Sequence, residues 1–315
     1  MDNSLSLVRV GITLCSLFLI IGLGMWFRKK RIIHPDSDGT FYWLLINLFT
    51  PCLILDSFLG HSEAFQSGSA FMAPLLGFST ILLGLFMATT GAWLLGVERG
   101  DPRKTFVICT SFANCGYMPI PFVMVFFNAH VLQTLFLFNV GLDIVFWSIG
   151  FAALTGKGSV LQGLKRVLNT PLLSIIFSLV VLFIYGKNPL PSGIMWMIHM
   201  TGQAAIPMSL LILGAIIFDH VPLLRFSGRL GTACSALGIR LLLLPILFIT
   251  LAFWLPLPES LRVVMCLQAG MPAAMLPLVI ISRCGGDIPL ALRIIVGSTV
   301  GSFFTIPIWF SFSFA

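Results

Sequence analysis

The sequence predicts an all-α membrane protein of ten transmembrane helices, arranged as a 5+5 inverted repeat with broken, crossing helices four and nine. Three observations lead there. Of the 315 residues 58% are apolar and only 9% charged, against about 25% charged in a typical soluble domain, which leaves too little polar surface for life in water. The apolar residues gather into ten runs close to the roughly 20 residues that cross a hydrocarbon core. Proline-bearing segments also recur at nearly one spacing in the two halves of the chain. This composition excludes a cytosolic enzyme, a secreted domain and a disordered tail.

The runs cover residues 5–27, 40–59, 71–96, 105–126, 131–154, 170–186, 193–218, 229–255, 260–282 and 290–314. The first is too long for a secretory signal, has no basic segment before it and is followed by Arg28-Lys29-Lys30-Arg31, so it reads as a retained span. Short loops rich in Lys and Arg mark the cytoplasmic side. With both termini outside, inner segments hold 14 of the 18 basic residues, outer segments only Arg9, Lys187 and Arg262, and a span holds Arg240. The net charge of +7 is therefore an orientation signal, and nucleic acid is not expected as a partner. Seven Cys lie mostly within apolar runs without a CxxC pair and read as packing residues. No cofactor or metal is expected.

In the first half, span two contains Asn47-Leu48-Phe49-Thr50-Pro51 and span four contains Asn114-Cys115-Gly116-Tyr117-Met118-Pro119-Ile120-Pro121. In the second half, span seven contains Ala204-Ala205-Ile206-Pro207 and span nine contains Gln268-Ala269-Gly270-Met271-Pro272. Five is an odd number, so a second five-span unit enters the membrane inverted. The expected division is a first repeat over 1–155, a cytoplasmic hinge over 156–169 and a second repeat over 170–315. Proline removes a helical hydrogen bond and glycine permits unusual backbone angles. Gly116 with Pro119 and Pro121, and Gly270 with Pro272 and Pro277, are thus expected to break spans four and nine near mid-depth. Paired interruptions in corresponding spans of inverted halves point to a transport site.

In these motifs the chain resembles the auxin efflux carrier family of the bile acid, arsenite and riboflavin transporter superfamily, in its bacterial branch. The resemblance rests on Asn-Leu-Phe-Thr-Pro at 47–51, Asn-Cys-Gly-Tyr-Met-Pro at 114–119, Ala-Ala-Ile-Pro-Met-Ser at 204–209, Gly-Met-Pro-Ala-Ala at 270–274 and Gly285-Gly286-Asp287. It implies a ten-span carrier with a scaffold and a transport domain, whose fourth and ninth helices unwind and cross at a proline pair. It also implies small organic anions such as malonate, malate or auxin as substrates, and a bacterial inner membrane as the location. The family often has an Asn shortly after its second Met-Pro; here Ala273 and Ala274 follow Pro272, and Gln268 precedes the break.

Two charged residues stand near mid-depth. At 1.5 Å per residue Asp143 lies about 18 Å into span five and Arg240 about 17 Å into span eight. One reading gives Arg240 the task of attracting an anion and Asp143 that of exchanging a proton; the other pairs the two with each other or with neighbours such as Asn139 and Ser148. Asn114 is the foremost substrate-binding candidate, because its amide both donates and accepts at the break. Gly116, Pro119, Gln268, Gly270, Pro272 and Arg240 join it. Asn47 is weaker, since it could serve only to hydrogen-bond a neighbouring helix, and Asp56 is expected at the outer interface. Spans one and six hold few mid-depth polar groups, which leaves lipid or a homodimer partner to cover them. GxxxxGK[ST], GxGxxG and GxSxG are absent, so neither ATP coupling nor an enzymatic activity is expected. The rivals to a carrier are an intramembrane enzyme and a receptor that keeps the carrier fold without transport.

Overall fold

A computed structural model describes residues 7–61, 67–152, 167–186, 190–220 and 228–314. Most of the expected hinge, residues 156–166, lies outside the described residues. The described residues are helical throughout, apart from loops and one isolated bridge. The helices are α1 (Leu7–Lys29), α2 (Pro35–Leu59), α3 (Ser67–Leu94), α4 (Asp101–Ser111), α5 (Pro119–Phe126), α6 (Ala129–Gly150), α7 (Thr170–Tyr185), α8 (Ser192–Asp219), α9 (Leu230–Trp254), α10 (Glu259–Ala269), α11 (Leu276–Cys284) and α12 (Ile288–Phe314). Among the described residues seven helices are long and apolar enough to cross a membrane: α1, α2, α3, α6, α8, α9 and α12. The other three expected runs contain α7, which is 16 residues long, and the short pairs α4 with α5 and α10 with α11.

Local chemistry sets many helix ends. Asn128, Asn169 and Asp287 cap α6, α7 and α12, their side-chain oxygens accepting from the amides of Val131, Leu172 and Leu290 at 3.1, 2.9 and 3.0 Å. The turn into α12 needs Gly285 and Gly286, whose φ angles of 95° and 145° are costly for any residue with a Cβ. α4 starts with Asp101 and Pro102 in its first turn, a negative charge and a missing N–H placed where a helix start favours both.

The helices pack in two groups. In the first, α1 runs along α8, and α2 lies against α7 and α8. In the second, α3 packs on α6 and α4, α10 on α6 and α9, and α12 on α4 and α9. Backbones approach closely within each group at glycine, as apolar helices do when small residues line the contact. A Cβ on Gly214 would lie 1.9 Å from the Ile21 carbonyl oxygen, joining α8 to α1, and one on Gly141 would lie 1.9 Å from that of Pro74, joining α6 to α3. The lipid-facing surface is apolar, with Phe183 of α7 92% exposed.

Ion pairs tie the helix ends. Arg28, only 4% exposed, donates from Nη2 to Asp38 at 2.5 Å and from Nε to Asp219 at 3.1 Å, joining α1, α2 and α8. Arg229 reaches Glu98 at 2.7 Å and Asp287 at 3.1 Å, joining the start of α9 to the turns before α4 and α12.

α4 ends where Phe112 turns extended, and α10 ends at Gly270. The two loose segments meet as an antiparallel bridge between Ala113 and Ala273. The amide of Asn114 donates to the Pro272 carbonyl and that of Ala274 to the Phe112 carbonyl, each at 2.8 Å. The buried Ser298 hydroxyl of α12 accepts from the Ala273 amide at 3.0 Å. Neither Gly116 nor Gly270 adopts a positive φ, so the interruptions do not rest on left-handed glycine. Pro277, not Pro272, matches Pro119: each stands in the first turn of the helix after its interruption, while Pro272 lends its carbonyl to the bridge.

Gly141→Ala and Gly214→Ala should each cost about 1–3 kcal/mol by overpacking, read as a lowered melting temperature of the purified protein in detergent. Gly11→Ala and Gly22→Ala, where a Cβ meets nothing within 4 Å, should leave it unchanged or higher. Ser298→Ala strands a buried amide and should cost about 1–3 kcal/mol. Ser302→Ala removes only a bond to its own helix, at the Thr299 carbonyl, and should cost less in the same assay.

Candidate functional site

A cavity of about 790 Å³ lies between the two helix groups. The first group contributes Tyr42, Asn47, Thr50 and Ser209, among others. The second contributes Asn114 to Tyr117 from the interruption after α4, Asn139 and Asp143 from α6, and Ala274 to Leu276 from the interruption before α11. Most of the wall is apolar. Its charged groups among the described residues are Asp38, Asp143 and Asp219, and no Lys, Arg or His lines it. Asp38 and Asp219 share the single positive charge of Arg28, and the Asn169 side chain lies beside Asp143. That contact crosses from α6 of the second group to the cap of α7 in the first.

Of the residues expected from sequence, Asn114, Gly116, Asn47 and Asp143 line the cavity. Among the described residues nothing hydrogen-bonds the Asn114 carboxamide, which stands half-buried at the wall. Gly116 leaves open space, since a Cβ there meets nothing within 4 Å. Asn47 is already engaged: its Nδ2 donates to the Trp43 carbonyl at 2.9 Å, and its Oδ1 accepts from the Thr170 hydroxyl at 2.5 Å. It sits in a wide π turn over Leu45–Phe49 and ties α2 to α7.

Pro119, Gln268, Gly270, Pro272 and Arg240 do not line this cavity. Gln268 is 6% exposed, and its Nε2 donates to Asn139 Oδ1 at 2.9 Å and to the Cys115 carbonyl at 3.1 Å. It therefore does not present the amide that the second crossover lacks; it braces the first. Arg240 is 1% exposed, in a π turn over Ile239–Leu243. Its Nε donates to the Met271 carbonyl at 2.9 Å, and its Nη2 to those of Gln268 and Ala269 at 3.3 and 3.4 Å. It does not pair with Asp143. Asp56 is buried, 2.9 Å from His199 Nδ1, and Ser148 bonds the Ile144 carbonyl of its own helix.

Sequence reading underrated Asn139, Tyr42 and Tyr117. Asn139 Nδ2 donates to the Cys115 carbonyl at 2.9 Å, so its amide satisfies the opened backbone while its side chain borders the cavity. A signal existed, because Asn139 precedes Asp143 by one helical turn and shares its face. The tyrosines carried no comparable signal: Tyr42 belongs to the other helix group and reaches the site only through packing.

Residues 10–163 and again 157–310 match the family described as membrane transport protein, and the two successive matches fit an internal repeat. An uncharacterized transporter of Methanothermobacter thermautotrophicus is 26% identical over 310 residues, covering 94% of this chain and 96% of the relative. The matched segments and the multi-pass apolar helices agree with the motifs at 47–51, 114–119 and 270–274. The chain belongs to the membrane transport protein family, the auxin efflux carrier family of the bile acid, arsenite and riboflavin transporter superfamily.

Proposed function

We propose that the protein is a secondary carrier of small organic anions, such as malonate, malate or auxin-like carboxylates, working by alternating access at the cavity beside the bridged interruptions. The observation that carries this reading is the meeting of the two interruptions at the wall of a cavity between two helix groups. Irregular backbone at membrane depth is tolerated where protein or a water-filled cavity satisfies it, and broken helices of this kind frame transport sites. In this reading ten spans cross the plasma membrane with both termini outside, α4 with α5 and α10 with α11 each completing one span. The group containing α3–α6 and α9–α12 moves, and the group of α1, α2, α7 and α8 stays fixed.

The chemistry suits a carboxylate without a cation at the wall. The Asn114 side-chain carboxamide is free to donate, and the start of α5 adds partial positive charge. Arg240 stands one layer behind: it shares its small neighbouring cavity with Ile81, Ala113 and Leu142, which also border the large one. Among the described residues no carboxylate lies within ion-pair distance of Arg240, so its charge contributes positive potential at the crossover. Asp143 is the proposed proton carrier, and Asn169 beside it belongs to the group that stays fixed.

Counterflow of labelled malonate, malate and indole acetate into proteoliposomes tests the carrier. A hydrogen bond to a charged group is worth about 1.5–3 kcal/mol, so Asn114→Ala should slow saturable exchange roughly 10- to 100-fold. Absence of exchange of every such anion by folded wild type overturns the substrate class. Asp143→Asn should flatten the dependence of exchange on pH, and an unchanged profile removes the proton role.

A further inference from the structure

Arg240 occupies a position where a broken membrane helix commonly holds a loose cation. The last turn of α10 and the residues just beyond it leave carbonyls without helical partners, and such half-helix ends coordinate monovalent cations in carriers. Here the carbonyls of Gln268, Ala269 and Met271 all face one guanidinium, at 3.3, 3.4 and 2.9 Å; that of Gln268 also accepts from the Met271 amide at 3.3 Å. The Gln268 side-chain Oε1 is buried with no hydrogen-bond partner among the described residues, and Gln268 and Arg240 border the same small cavity of about 20 Å³. Thr80 and Ser111 border it too, their hydroxyls donating to the Gly77 and Val107 carbonyls. The small cavity is lined mostly by apolar residues, so the oxygens that face the guanidinium are the backbone carbonyls at the end of α10, and with no carboxylate within ion-pair distance among the described residues their dipoles alone stabilise the positive charge.

We propose that Arg240 is a tethered cation filling a monovalent-cation site formed by the end of α10, and that truncating its side chain opens that site to Na⁺, K⁺ or guanidinium. The crossover then carries its positive charge permanently and needs no free metal ion to assemble. A side chain that simply glued two helices would need only hydrogen-bond donors. A site built for positive charge accepts an untethered cation of suitable size in its place.

The test reads folding stability and so stands apart from whether any anion is carried. The full-length protein is melted in detergent in choline, sodium, potassium or guanidinium chloride at matched, millimolar concentration and constant ionic strength. The wild type should melt at one temperature in all four. Arg240→Ala should melt at least about 5 °C lower in choline and recover half or more of that loss, saturably, with at least one of the three small cations. An equal loss in every salt overturns the proposal. If Arg240→Ala does not yield folded protein, Arg240→Lys and Arg240→Gln decide. Lys should keep the wild-type indifference to salt, and Gln, which donates hydrogen bonds without charge, should become cation-dependent. Gln as stable as Lys in choline shows that donors suffice and overturns it.

Discussion

A polypeptide in hydrocarbon has no water to complete its hydrogen bonds, so each helix that stops short of the far side exposes carbonyls and amides that only protein can satisfy. Here two helices stop short and satisfy each other. The amides of Asn114 and Ala274 donate across to Pro272 and Phe112, Ser298 accepts from Ala273, Asn139 and Gln268 cover the Cys115 carbonyl, and Arg240 covers three carbonyls at the end of α10. The cavity borders the same place, because segments that have left the helical cylinder no longer fill the space beside it.

The buried arginines follow two different rules. Arg28 meets two carboxylates and fastens three helix ends of one group. Arg240 meets only dipoles. A buried charge without a counter-charge is costly, and under the proposed function a negative cargo arriving from the cavity would supply part of what is missing. The three aspartates along the cavity weigh the other way: Asp38 and Asp219 share the single charge of Arg28, and Asp143 lies beside the neutral Asn169.

The polar groups expected at mid-depth were legible because charge and amide are rare in these runs. Asn114, Gly116, Asn47 and Asp143 all reach the cavity. Distance from the break along the chain was a poor guide for the others. Gln268 and Arg240 were marked by the same rarity, yet packing turns them to the rear, where unsatisfied carbonyls compete for their donors. Similar spacing likewise does not say which proline starts a helix and which lies in the extended bridge: Pro119 and Pro277 each stand in a first turn, and Pro272 lies in the bridge.

Composition and hydropathy by themselves determined that this chain lies in a membrane as a bundle of helices, since 9% charged residues cannot cover a water-soluble surface. The recurring Pro and Gly motifs marked where helices would be interrupted, because proline withholds an amide wherever it stands. Tertiary structure alone decided that the two interruptions pair with each other, that the cavity opens between two groups of helices, and which side of the bridge each polar side chain serves. Those outcomes depend on contacts between residues more than 100 positions apart, such as Asn114 with Pro272, and no local pattern encodes which of several available carbonyls a buried donor will meet.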